Sequence, residues 1–273
     1  MLLRLCILFL FIIRGVLYKM WNSFKIAFSM YSKIPMPKTD WNNESMKYAM
    51  CFFPLVGGTI GMLLYAVYMI SYKLEFGDIF RTALLTIMPV LITGGIHLDG
   101  FVDTMDAINS YQPVERKLEI LKDSHIGAFA LISCVIYFII DFGAWSEVSR
   151  KSLFILCIGF ILSRALSGLS IVTFPCAKKS GLAAGFSDAA QKNIVKVTMY
   201  FYILACVVGM LYIDLILGII SFLSAFFMFF YYKHMSIKKF SGITGDLAGY
   251  FLQMCELLML IAVVLGEKII NFL

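Results

Sequence analysis

Charge is scarce in this chain: Asp, Glu, Lys and Arg make up 15% of its 273 residues. A soluble domain typically carries about 25%. Hydrophobic residues reach 61% and mean hydropathy is +0.88. That excludes an ordinary soluble fold and identifies an integral membrane protein. Paired cysteine motifs are also missing. Cys6, Cys51, Cys134, Cys157, Cys176, Cys206 and Cys255 form no CxxC pair and lie mostly in apolar segments, so they read as small buried hydrophobes in reduced form. No internal repeat or low-complexity linker divides the chain, and residues 1–273 read as a single domain. A clean signal-peptide cleavage site is absent too. Arg14 interrupts the opening apolar run, so residues 1–19 are either an extra membrane-associated helix or an extension upstream of Met20.

What is present is a series of apolar runs, each near the roughly 20 residues that a bilayer core requires. Hydropathy places spans near 50–72, 79–96, 127–145, 152–173, 197–213, 215–232 and 249–266. The expected fold is all-α, a polytopic bundle of about six to seven transmembrane helices. Gly57-Gly58 and Gly94-Gly95 are positions for close helix contact or for breaks.

The formal charge of +6 does not indicate nucleic acid, because the basic residues are dispersed through short loops. Segments 33–49, 97–126, 174–196 and 233–248 hold thirteen Lys and Arg, against five in the alternate connections. That bias puts the first set in the cytoplasm. The expected location is a cell (inner) membrane, with the chemistry on the cytoplasmic face. Long loops on one side and short ones on the other suit an enzyme built on one membrane face. A transporter needs access from both.

GGIHLDGFVDTMDA, residues 94–107, follows the second span. As one helix, at about 100° per residue, Asp99, Asp103 and Asp106 fall within an arc of about 60°. No basic residue lies between them. At about 2.5–3.5 kcal/mol for each Asp at the bilayer centre, three facing lipid would cost on the order of 8–10 kcal/mol. They must face water, protein or ions. Carboxylates without nearby thiolates suit a hard cation such as Mg²⁺, which keeps several waters and bridges substrate phosphates. His97 falls about 200° from Asp99, which makes it a helix-start or supporting group before it is a ligand.

A second acidic series, Glu115, Glu119 and Asp123, recurs every four residues and fits an amphipathic surface helix ending at Gly127. Asp123 comes closest to the next span and so can approach the first cluster. SGITGDLAG, residues 241–249, opens the last span; Gly245 beside Asp246 lets backbone amides approach a phosphate. Lys178, Lys179, Lys238 and Lys239 either hold an anionic substrate or set topology. Arg164 and Glu256 lie inside spans and can pair with one another. Acidic pairs, a divalent cation and basic loops on one face point to phosphoryl or nucleotidyl chemistry, where positioning and charge neutralisation do most of the catalysis.

TGGIHLDGFVDTMDA, KDSHIGAFA and ITGDLAG, with KIPMP near the start and SGLAAGF in support, resemble the cobalamin synthase family over roughly residues 21 to 266. These are the adenosylcobinamide-GDP ribazoletransferases. The resemblance implies an Mg²⁺-dependent membrane enzyme that joins adenosylcobinamide-GDP to α-ribazole or its 5′-phosphate and releases GMP. It further implies that Asp99, Asp103 and Asp246 are metal ligands, with Asp106 a ligand or base. By the same likeness Asp123 belongs to the acidic site, and Arg164 contacts phosphate. Two positions depart from the family pattern: Ala107 stands where Gly is expected, and His125 where Arg is frequent. A homo-oligomer is compatible with this reading. The rival is a cation-coupled transporter using the Asp cluster as its ion path.

Overall fold

The computed structural model describes residues 2–123, 125–177 and 181–272, with backbone alone for 2–16 and 182. Among them the secondary structure is helical throughout: α1 (Leu2–Tyr31), α2 (Asn43–Met46), α3 (Ala49–Lys73), α4 (Asp78–Thr93), α5 (Ile96–Asn109), α6 (Val114–Ile120), α7 (Ala128–Ser146), α8 (Arg150–Thr173), α9 (Leu182–Ala189), α10 (Lys192–Ile213), α11 (Leu215–Phe240) and α12 (Gly245–Phe272). Six of these, α3, α7, α8, α10, α11 and α12, are long and apolar enough to cross a membrane. A seventh crossing requires α4 and α5 together, and they meet at 94°. The expected all-α, six-to-seven-span bundle is what the chain forms.

The centre of the bundle is α8. Most of its apolar length is buried, whereas α7 and α10 are mostly exposed and present a lipid-facing surface that includes Phe129, Ile132 and Phe201. Small residues let α3 approach α8. A methyl group at Gly57 would overlap the Phe160 carbonyl, and one at Gly61 would come 2.7 Å from the Cys157 carbonyl oxygen. The Cys157 thiol donates to the Gly61 carbonyl at 3.2 Å.

The two glycine pairs noted in the sequence behave differently. Gly57-Gly58 stays within α3 and makes a contact. Gly94 and Gly95 take φ of +66° and +80°, and there the chain turns out of α4 into α5. L-residues with a Cβ rarely adopt this left-handed region, so two in succession end a helix. The span expected at 79–96 therefore stops at Thr93.

One further expectation is corrected. Residues 233–240 are not loop: α11 continues to Phe240, because Tyr232, Met235, Ser236 and Phe240 keep the buried stripe at helical spacing. Lys238 and Lys239 thus complete a helix, in the last turn, where positive charge complements the helix dipole. Residues 2–31 form one helix, which runs unbroken through Met20.

At the end of the bundle away from α5, connections are short and charges are paired. Lys151 bonds Asp214 at 2.8 Å, Lys268 bonds Glu147 at 2.5 Å, and Ser152 donates to Glu267. Asp214 also caps α11 by accepting from the Ile216 and Leu217 amides.

Gly57→Ala should destabilise the bundle by about 1–3 kcal/mol, the usual cost of overpacking. Gly58→Ala, whose methyl would sit 3.6 Å from Ile161 Cδ1, should be close to neutral. Thermal unfolding of the purified protein checks the contrast: equal midpoints for the two variants would contradict the contact.

Candidate active site

Helix α5 buries His97, Gly100, Phe101, Thr104 and Ala107, a stripe at spacings of three and four. Asp99, Asp103 and Asp106 lie off that stripe; Asp99 is exposed and the other two are half-buried. The face expected from periodicity forms. Ala107 is fully buried within the stripe, so its methyl is accommodated where the family pattern has glycine.

Asp246 joins this face from the first turn of α12. A methyl at Gly100 would come 2.6 Å from the Asp246 carbonyl oxygen, and one at Gly249 would come 2.9 Å from the His97 carbonyl oxygen. Glycine on both sides therefore lets the two backbones touch. Phe101 stacks on Tyr250 beside them, with ring centroids 6.0 Å apart and planes 5° from parallel. The start of α12 is itself held: Thr244 Oγ1 accepts from the Leu247 amide, and Ile243 pairs with the 175–177 segment through Pro175 and Ala177. As a result Asp99, Asp106 and Asp246 all act electrostatically on Asp103. The ion pairs recorded among the described residues lie elsewhere, so no Lys or Arg neutralises Asp99, Asp103 or Asp106.

Asp106 also meets a third helix. A methyl at Gly127 would overlap its carboxylate, so Asp106 packs against the N-terminal end of α7, where helix amides favour negative charge. Asp123 is not on a helix. The helix expected to reach Gly127 ends at Ile120, and Asp123 accepts instead from the His125 amide at 3.0 Å and contacts its Nδ1 at 2.7 Å. This turn competes with helix continuation. The His125 bonds hold the Asp123 carboxyl below the usual carboxylate range.

Two spaces meet at Asp99. An open cleft of about 700 Å³ is lined by Gly94, Gly95, Asp99, Asp103, Lys122 and Asp123. A more enclosed chamber of about 310 Å³ is lined by Tyr31, Phe53, His97, Asp99, Ser167, Gly245 and Asp246, among others. His97 and Asp99 border the same chamber despite their 200° separation, since the space wraps around the first turn of α5. His97 stacks on Tyr31, centroids 5.9 Å apart, and its Nε2 is buried without a hydrogen-bond partner. Tyr31, Phe53 and Ser167 carry no motif and were not singled out from the sequence. Their only sequence signal is the aromatic and small-residue character of flanking helices.

Lys33 adds a cation that the loop count recorded only as topology. Its amide donates to the Ile92 carbonyl at 2.7 Å, and its carbon stem lies over Gly94 at the rim of the cleft. Arg164 is a correction. Its side chain is buried, with Nη1 on Glu256 Oε1 at 2.5 Å and on the Phe160 carbonyl at 3.0 Å. It borders neither space, so the pairing inside the bundle displaces the phosphate contact. Lys178 and Lys179 lie outside the described residues.

The donor set fits a hard divalent cation. It consists of carboxylates without thiolates, gathered with no recorded protein cation among Asp99, Asp103 and Asp106. Among the described residues no three His, Cys, Asp or Glu side chains enclose a metal ion by themselves.

A family profile described as Cobalamin-5-phosphate synthase matches residues 23–264. The chain belongs to that family of enzymes. Among curated proteins it is similar to the adenosylcobinamide-GDP ribazoletransferase of Lachnoclostridium phytofermentans, at 51% identity over 92% of this chain and 96% of the relative. It is likewise similar to the protein of the same name from Clostridium perfringens, at 34% identity over 86% and 94% of the two chains. The Fusobacterium nucleatum protein of that name is 29% identical over 86% of this chain and 94% of its own. No solved structure matches. The transporter alternative finds no support in these relatives.

Gly127→Ala should push Asp106 off the α7 terminus and lower transferase turnover about tenfold, since misplacements near 1 Å can cost up to ~10²-fold. The thermal midpoint should fall as well, because the Asp106 contact holds α5 against α7. Turnover equal to wild type would show that the Asp106 position is unimportant.

Proposed function

We propose that this chain joins adenosylcobinamide-GDP to α-ribazole or its 5′-phosphate, releasing GMP, in a cell (inner) membrane with its acidic face towards the cytoplasm. The observation that carries the proposal is that Asp99 borders both an open acidic cleft and an aromatic-walled chamber. A reaction between a large pyrophosphate substrate and a small aromatic nucleoside needs two such spaces meeting at one point. The cleft suits the pyrophosphate, and Tyr31, Phe53 and His97 suit a heteroaromatic base.

In the reaction a ribose hydroxyl of α-ribazole attacks the cobinamide-side phosphorus. A new P–O bond forms, the P–O bond to GMP breaks, and the hydroxyl proton passes to a carboxylate. Asp99 is the residue proposed to take it, because it faces both substrates. Asp106, a ligand or base by the family resemblance, borders neither space and is proposed instead to fix α5 against α7. Asp103 and Asp246 would hold Mg²⁺, which would supply charge neutralisation for the pyrophosphate and the departing GMP, leaving Asp99 free to take the proton. Lys33 at the cleft rim would bind a phosphate oxygen, and Asp123 would hold the loop at the cleft wall through His125. His97 Nε2, buried without a partner, would take a hydrogen bond from the bound nucleoside or give one to it, according to its tautomer.

Asp99→Ala and Asp103→Ala should abolish GMP release while leaving membrane insertion intact. Membranes given adenosylcobinamide-GDP, α-ribazole and Mg²⁺ provide the assay. Near-normal turnover in either variant, or full activity after chelation, would refute the metal assignment; no GMP from wild type under any divalent cation would sink the enzyme reading.

Lys33→Ala should raise KM for adenosylcobinamide-GDP by about 10–100-fold, the value of a charged hydrogen bond of about 1.5–3 kcal/mol. KM for α-ribazole should hold steady. A change confined to the α-ribazole KM would move Lys33 to the other substrate.

A further inference from the structure

A groove of about 670 Å³ runs between α1 and the segment before α3, apart from the acidic site. Its lining includes Asn22, Lys25 and Ser29, one stripe of α1 at spacings of three and four, and Lys38 and Trp41 from the facing segment. Tyr31, which borders the chamber, projects from another side of α1, about 200° from Ser29. The two spaces are therefore distinct.

Two polar groups in the groove wall lack partners. Lys25 is 8% exposed, yet no carboxylate pairs with it among the described residues. Asn22 is 7% exposed, and its Oδ1 is buried with no hydrogen bond. The Lys25 stem is packed, but its ammonium is not among the buried polar atoms: it opens into the groove, where an anion can reach it. The acidic lining residues do not remove the positive character. Three lysines, Lys19, Lys25 and Lys38, face two carboxylates, Asp40 and Glu44, and Glu44 is already bonded by Lys19 at 2.9 Å and by Lys47 at 3.6 Å. A cationic site with one additional acceptor remains.

The surroundings indicate the class of anion. Tyr18, Trp21 and Trp41 are each about half exposed or more, beside exposed Leu17. Trp and Tyr cluster where a membrane meets water, at headgroup level. A phosphodiester headgroup bearing a hydroxyl would match both orphan groups: its phosphate answers Lys25, and its hydroxyl donates to Asn22. We infer that this groove binds the headgroup of an anionic, glycerol-bearing phospholipid through Lys25, Lys38 and Asn22.

The test uses the purified full-length protein in dodecyl maltoside, titrated with phosphatidylglycerol, phosphatidylcholine or soluble glycerol 1-phosphate, with the thermal unfolding midpoint as readout. Phosphatidylglycerol should raise the midpoint by about 3 °C or more. Phosphatidylcholine and glycerol 1-phosphate should not. Lys25→Met should lose most of the shift and Lys38→Met part of it. Because Lys25 is buried, Lys25→Met could fail to fold, and exposed Lys38 then decides the matter. A full phosphatidylglycerol shift in Lys38→Met, or in a folded Lys25→Met, overturns the inference. An equal shift with glycerol 1-phosphate overturns the lipid assignment in favour of a soluble ester. The readout is independent of transferase activity.

Discussion

The backbone contact between α5 and α12 is the constraint on which the acidic site depends. Gly100 meets the Asp246 carbonyl and Gly249 meets the His97 carbonyl, so neither helix can carry a side chain there without retreating. Close approach brings a fourth carboxylate to a face that already carries three. Like charges this near one another oppose the packing that gathers them, and the packing prevails because it rests on van der Waals contact and aromatic stacking over several turns. On the proposed reading, a multivalent cation and the phosphates that travel with one would relieve that repulsion.

Charge is distributed unequally between the two ends of the bundle. Away from α5, Lys151, Asp214, Lys268 and Glu147 are paired and close a compact rim. At the α5 end, Asp99, Asp103 and Asp106 have no ion pair among the described residues, while Lys33 stands at the cleft edge. Midway between, Arg164 and Glu256 satisfy one another near Asp141, which borders the same small cavity as Glu256. An ion pair at that depth is expected to be held internally, since an unpaired partner would be a buried charge. The polar interior therefore supports the bundle, and the proposed chemistry lies at one end.

Much of this was legible from the sequence because it rests on local periodicity. The carboxylate face of α5, the apolar spans and the Arg164–Glu256 pair all follow from residue spacing and hydropathy. What escaped depends on tertiary packing or on competing short-range bonds. Gly57-Gly58 and Gly94-Gly95 read alike, yet one pair packs against Phe160 and the other turns a corner. Asp123 read as helical until its bonds to His125 interrupted the periodic pattern. Asp106 shares the angular position of Asp99, but Gly127 draws its carboxylate to another helix. Tyr31, Phe53 and Ser167 come from three separate helices, and no linear motif joins them.

The shortness of α4 has a consequence for the bilayer itself. Its 16 residues cover about 24 Å at 1.5 Å per residue, less than the roughly 30 Å of a hydrocarbon core. The corner at Gly94-Gly95 therefore lies below the level reached by the longer helices, unless the lipid around it thins to match. Such mismatch is relieved by local compression of the acyl layer, at a modest cost for each ångström. Where the lipid thins in this way, the carboxylate face occupies a dimple in the membrane surface, and the thickness of the surrounding lipid becomes a variable that sets how readily water and large polar substrates reach it.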